Sequence, residues 1–121
     1  MSKRDVRLFV ADMLEGIARI ERYTAGLDLE GFAADERTVD AVVRNLEIIG
    51  EAARQIPEAL RERYPDIPWR RVIGFRNIVV HEYFAVDVGI IWTIVRENLP
   101  ALKTKLRQML SDLEREERPG A

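Results

Sequence analysis

The chain of 121 residues contains no cysteine and a single histidine, His81. Without cysteine it has no disulfide framework, no thiolate zinc site and no cysteine nucleophile. Any imidazole chemistry that one chain supplies must therefore use His81.

An excess of charge of one sign is also missing. There are 19 Lys and Arg against 21 Asp and Glu, which gives a formal net charge of −2. This balance excludes a protein that coats nucleic acid by bulk positive charge, but it leaves room for a local basic site. One segment is locally basic because it holds Arg61, Arg63, Arg70, Arg71 and Arg76. Such a run could line an RNA path, although a solvated face is its commoner meaning.

Long apolar runs are missing as well. No stretch approaches the roughly 18 apolar residues of a membrane span. Near the N-terminus, Asp5, Arg7 and Asp12 interrupt what would be the apolar core of a signal peptide. We therefore expect a cytoplasmic protein with no membrane partner, and its length is typical of a single domain.

Apolar residues recur at helical spacing along most of the chain. The predicted helices are a first one from about Val6 to Thr24 with Gly26 as its stop, a second from Asp35 to Ile56, a short one from Glu58 to Tyr64, a fourth from about Trp69 to His81, and a last one from about Val86. Residues 27–34 are predicted to be a connection. Pro100 predicts a kink or a break in the last helix near Asn98.

These elements predict an all-α, up-and-down bundle of four to five helices. The β-branched run 78–80 would tolerate a strand, but no second strand is available to pair with it. We expect one domain over residues 1–113 and a charged, frayed tail over 114–121. The apolar stripes are broad for so small a chain, which favours a homodimer with a shared buried face.

One segment gathers the chemistry-bearing residues Arg76, Asn77, His81 and Tyr83. On a helix, Asn77 and His81 share a face, whereas Arg76 and His81 lie about 140° apart around the axis. One copy of the helix does not present Arg and His as a tight pair, but two copies across a dimer axis could bring them into one cleft. Imidazole exchanges protons near neutral pH, and guanidinium binds phosphate oxygens. The set suits metal-independent RNA cleavage through the 2′-hydroxyl.

Structural roles for the same residues stay open. His81 could be a hydrogen-bonded residue or a dipole partner near a helix end. Arg76 could be an ion-pair partner of Glu47 or Glu51, and Tyr83 could belong to the core. Trp69 and Trp92 occupy apolar helical positions, which favours the core over base stacking. A metal site is disfavoured because His81, Glu82 and Glu51 offer too few well-spaced ligands.

The pattern Arg76-x4-His81-x-Tyr83 resembles the Arg-x4-His-x-Tyr motif of the HepT-like branch of the HEPN superfamily. The likeness extends to Arg44–Ala53, to Ile56–Pro57 followed by Tyr64–Trp69, to Ile90–Trp92 and to Asn98–Pro100. It runs from about Arg4 to Leu113, and the motif together with these flanks in the same order is a specific signal.

The resemblance implies a HEPN-type bundle and a homodimer with the motif helices near the dimer cleft. It implies a ribonuclease toxin of a type VII toxin–antitoxin pair, without a cofactor or metal, with Arg76 and His81 catalytic and Asn77 supporting them. The antitoxin would be an MntA-like nucleotidyltransferase that transfers AMP to Tyr83. The alternative is a non-catalytic helical dimer that binds and positions such a nucleotidyltransferase.

Overall fold

The computed structural model describes residues 5–82 and 88–116, and over residues 78–82 it describes the helical backbone alone. Within these ranges the chain forms seven α-helices and one π-helical turn, and no strand. They are α1 (Val6–Thr24), α2 (Leu29–Ala34), α3 (Glu36–Arg54), α4 (Glu58–Arg61), α5 (Trp69–Glu82), α6 (Val88–Thr93), the π turn (Ile94–Asn98) and α7 (Leu99–Glu116). The all-α prediction is confirmed, and the β-branched run 78–80 is helical as expected.

The four long helices α1, α3, α5 and α7 form the body of the bundle. α1 packs along α3, α3 also packs along α5, and α7 packs against α1. The predicted apolar stripes are the ones that become buried. The most deeply buried side chains include Met13, Ile17, Leu46, Ile49, Phe75 and Leu106. At about 25 cal/mol per Å² of apolar surface removed from water, this shared core is the main stabilising term.

The prediction of a connection over residues 27–34 is wrong, because α2 lies there. Asp28 caps this helix, its carboxylate accepting a hydrogen bond from the Gly31 N–H at 2.8 Å. Phe32 is fully buried, and its ring lies 4.9 Å from that of Trp92 between centroids. A single turn with one apolar anchor has no periodicity to detect, so tertiary burial of Phe32 decided this element.

Two helices are shorter than their sequence patterns predict. α3 ends at Arg54 rather than Ile56, because the residue before Pro57 is disfavoured in helical conformation. α4 ends at Arg61 rather than Tyr64. Here the indole N–H of Trp69 donates to the carbonyl oxygens of both Arg61 and Tyr64, at 3.1 Å each. The connection therefore folds around Trp69.

Near Asn98, where a kink or a break is predicted, the helical path continues but passes through a π turn. The π turn ends at Asn98, and the Leu99 N–H donates to the Ile94 carbonyl five residues earlier. Pro100 follows in the first turn of α7. Proline has no N–H to donate, so a continuous α-helix would lose a hydrogen bond at this position. α7 continues to Glu116, which forms an ion pair with Arg63 at 2.7 Å. Within residues 5–82 and 88–116, no helix has both the length and the apolar character that a membrane crossing requires.

Candidate functional site

α3 and α5 touch most closely where Gly50 faces Arg76. A Cβ placed on Gly50 would lie 2.8 Å from the backbone nitrogen of Arg76 and 3.1 Å from the carbonyl oxygen of Ile73. These distances are shorter than ordinary van der Waals contact, so only glycine allows the two backbones to approach this far. The close approach fixes where Arg76 leaves α5, directly beside α3.

At that point Arg76 pairs with Glu51 of α3. The Nε of Arg76 lies 2.9 Å from Oε2 of Glu51, and the two side chains remain 44% and 42% exposed. Of the two carboxylates that the sequence offered as partners, Glu51 is thus the one used, whereas Glu47 pairs with Arg44 at 3.7 Å. A guanidinium carries five N–H donors, so one carboxylate leaves donors available for a phosphate.

Glu51 is held by further donors on its own helix. Its Oε1 accepts hydrogen bonds from Arg54 at 3.0 Å and from Gln55 at 3.3 Å. The hydrogen bond from Arg54 lowers the pKa of the Glu51 carboxyl below its ordinary value of 4.5, and Gln55 and the charge of Arg76 act in the same direction. Glu51 is therefore ionised at neutral pH and presents a fixed negative charge to Arg76.

The register of α5 separates the motif residues around the helix. The helix is unbroken from Trp69 to Glu82, so position 81 follows Asn77 by one turn on the same face. Asn77 is exposed, and position 81 lies about 140° from Arg76 around the axis. The His81 side chain and all of Tyr83 lie outside what the structure describes. Arg76 and Asn77 thus occupy adjacent positions on different faces.

The locally basic segment does not form one surface. Arg63 pairs with Glu116, and Arg76 pairs with Glu51. Arg61 and Arg70 instead line an open groove between α4 and α5. Arg71 lines a different cleft. The prediction of a basic path is thus narrowed to the groove that holds Arg61 and Arg70.

The two tryptophans pack against apolar side chains, as their positions in the sequence predict. Trp69 is buried as predicted, and Trp92 is half-buried against Phe32. Over the part of the chain that the structure describes, no three acidic or histidine side chains are grouped as metal ligands would be.

Sequence reasoning missed the role of Gly50. The sequence did carry a signal for it, a glycine inside the apolar stripe of a predicted helix. Glycine lowers the stability of a helix interior, so its presence there indicates that a close packing contact requires it.

Comparison with known proteins places this geometry in a family. The model of the family described as "Ribonuclease HepT-like" matches residues 13–109. A protein of Methanocaldococcus jannaschii named "Putative RNase" is 42% identical over 106 residues, which cover 88% of this chain and 97% of the relative. A protein of Thermococcus cleftensis named "Probable ribonuclease HepT" is 40% identical over 107 residues, with 88% and 97% covered. No solved structure matches the chain significantly. Since both the family model and these relatives span most of the chain, it belongs to the ribonuclease HepT-like family of the HEPN superfamily.

Proposed function

We propose that the chain is a metal-independent endoribonuclease, the toxin of a toxin–antitoxin pair. The observation that carries the proposal is the exposed Arg76 guanidinium, held by an ionised Glu51 in a chain whose relatives are named as ribonucleases. An arginine that is fixed in advance loses little conformational freedom when it binds the scissile phosphate.

The proposed reaction uses the substrate's own nucleophile. The 2′-oxygen attacks phosphorus as a base removes its proton, and the bond to the 5′-oxygen breaks as that oxygen receives a proton. The products are a 2′,3′-cyclic phosphate and a 5′-hydroxyl. His81 serves as the general acid or base, Arg76 stabilises the charge on the phosphoryl oxygens, and Asn77 orients the phosphate or His81.

The separation of Arg76 and position 81 around α5 supports a composite site. With about 140° between them, one helix does not present both groups to one phosphate. In a homodimer, one chain would supply the guanidinium and the other the imidazole. Light scattering on the purified protein tests this, since the dimer has about twice the mass of a 14.0 kDa chain. A strict monomer that still cleaves RNA contradicts the composite site.

Cleavage of a single-stranded RNA by the purified chain tests the reaction. Activity should survive EDTA, require the 2′-hydroxyl and leave 2′,3′-cyclic or 3′-phosphate ends. His81→Ala and Arg76→Ala should each lose about 10²–10⁴-fold in rate, the usual range for proton-transfer catalysis. Arg71→Ala is the matched control, because Arg71 is exposed on the same helix but lines a different cleft. Full activity in His81→Ala would refute the mechanism.

The resemblance also supports control through Tyr83. We infer that an MntA-like nucleotidyltransferase transfers AMP from ATP to the Tyr83 hydroxyl, with pyrophosphate leaving, and so silences the toxin by bulk and negative charge. Intact mass after co-expression with such a partner should increase in AMP units, mapped to Tyr83. Tyr83→Phe should stay folded and resist this route. Complete silencing of Tyr83→Phe without a mass change would reject the assignment.

The same ion pair favours a second candidate, a non-catalytic dimer that positions the nucleotidyltransferase. In that case Arg76 serves only to join α5 to α3 through Glu51. The two candidates differ in one comparison. Arg76→Ala that stays folded but loses RNA cleavage supports the ribonuclease, whereas a wild-type chain that binds the partner and never cleaves RNA supports the scaffold.

A further inference from the structure

A groove lies between α4 and the N-terminal half of α5, outside the Arg76–Glu51 pair. It is open to solvent and encloses about 580 Å³. Among its lining residues are Glu58, Arg61, Glu62, Arg70, Gly74 and Asn77. The buried Trp69 also lines it, and its indole N–H donates to two main-chain carbonyls of the α4–α5 connection.

The α5 wall of this groove leads toward the motif. Arg70, Gly74 and Asn77 are spaced by four and three residues, so they follow one face of the helix, and position 81 continues the same face. From Arg70 to Asn77 the helix rises about 10 Å, which is longer than one nucleotide step in a stacked strand. A ligand lying along this wall would end at the face that carries Asn77.

The two walls differ in charge. The α5 wall presents the exposed Arg70, and no described acidic side chain forms an ion pair with it. The α4 wall presents Glu58 and Glu62 beside Arg61, whose Nε donates to the Ile56 carbonyl at 3.0 Å, so this wall carries one more negative than positive charge. A phosphate is attracted to Arg70 and repelled by the two carboxylates, so a strand in the groove is oriented with its backbone against α5.

Gly74 keeps the middle of the groove open. A Cβ on this glycine would meet no atom within 4 Å, so no packing inside the chain requires a glycine here. Glycine in a helix interior costs stability relative to alanine. An open space above the helix backbone is what a strand passing from Arg70 to Asn77 would need.

We propose that this groove, here named the α4–α5 groove, binds the RNA strand next to the scissile phosphate, with Arg70 contacting one flanking phosphate. The inference rests on the proposed ribonuclease function, which it extends by a substrate-binding residue outside the motif. Arg70 acts by holding the strand in register, and it takes no part in proton transfer.

Binding of a short single-stranded RNA with 2′-O-methyl riboses, which cannot be cleaved, tests the proposal. Fluorescence anisotropy over a series of salt concentrations gives the affinity and its salt dependence. Arg70→Gln should weaken binding about tenfold, as expected for one charge-assisted contact. The slope of log affinity against log salt should fall by about 0.7, the value for one phosphate on a single strand. Arg71→Gln, which removes the same charge next to it in the chain, should leave both quantities unchanged.

Three further variants test the walls of the groove. Glu62→Gln should tighten binding, because it removes a repelling carboxylate from the α4 wall. Gly74→Leu should weaken binding by filling the groove, and Gly74→Ala, which adds a single methyl group there, should weaken it less. Melting temperatures for all variants separate these effects from unfolding.

Several outcomes would overturn the inference. If the wild type cleaves RNA and Arg70→Gln matches it in affinity and salt slope, the groove does not hold the strand, although the ribonuclease proposal stands. If Arg70→Gln instead halves the mass seen by light scattering, the groove is an interface with a second copy. If the wild type neither binds nor cleaves RNA, both proposals fail.

Discussion

The glycines Gly50 of α3 and Gly74 of α5 should respond in opposite ways to the same substitution by alanine. In Gly50→Ala the new methyl would lie 2.8 Å from the Arg76 nitrogen and 3.1 Å from the Ile73 carbonyl oxygen. Both are backbone atoms of α5 and cannot rotate away, so α5 must shift from α3. Overpacking of this kind costs about 1–3 kcal/mol, and alanine returns about 1 kcal/mol in helix propensity.

These two terms leave a net loss of about 0–2 kcal/mol for Gly50→Ala, and because both contacts are with backbone we expect the upper half of this range. Gly74→Ala meets nothing within 4 Å, so it should gain about 0.5–1 kcal/mol from propensity alone. For a chain of this size 1 kcal/mol corresponds to roughly 4 °C in melting temperature. Thermal unfolding followed by circular dichroism should therefore show Gly50→Ala melting lower than the wild type and Gly74→Ala melting higher.

The functional readout follows from the same shift. At a temperature where both variants are folded, Gly50→Ala should cleave RNA more slowly, because moving α5 lengthens the contact of Arg76 with Glu51. The comparison is with the wild-type rate at the same temperature. If Gly50→Ala were as stable as Gly74→Ala and as active as the wild type, the close approach of α3 and α5 would not be what positions Arg76, and the reasoning would be refuted.

Three other changes have expected outcomes. Trp69→Phe removes a buried N–H donor shared by two main-chain carbonyls, so it should lower the free energy of unfolding by about 1–3 kcal/mol in urea titrations; an unchanged midpoint would contradict this. Glu51→Gln should slow RNA cleavage by releasing Arg76, whereas Glu47→Gln, matched in charge on the same helix, should not. The pKa of Glu51 is lowered, chiefly by Arg54, so its contribution to stability is present above its ordinary pKa of 4.5 and lost as pH falls below it. The decline in melting temperature in acid should accordingly be shallower in Glu51→Gln, and an identical decline would count against this assignment.

Local patterns determined most of the fold. Period-3.6 stripes predict α1, α3, α5 and α7, because an amphipathic helix carries its buried face in its own spacing. Pro100 predicts a kink or a break in the last helix, because the missing N–H is a property of the residue itself. The candidate set Arg76, Asn77 and His81 is equally local, since side-chain chemistry and helical register need no tertiary information.

By itself, then, the sequence determined the helical class, the main helices and the motif with its register. Tertiary structure alone decided the rest. The helix α2 forms because Phe32 becomes buried in the core. The helix α4 ends at Arg61 because the indole N–H of Trp69 donates hydrogen bonds to main-chain carbonyls of the connection. The choice of Glu51 over Glu47 depends on where α5 crosses α3 at Gly50. The contacts of Phe32 and of Arg76 join residues far apart in the chain, and those of Trp69 span eight and five residues of an irregular connection. None of these contacts has a helical spacing, so they follow only from how the helices pack.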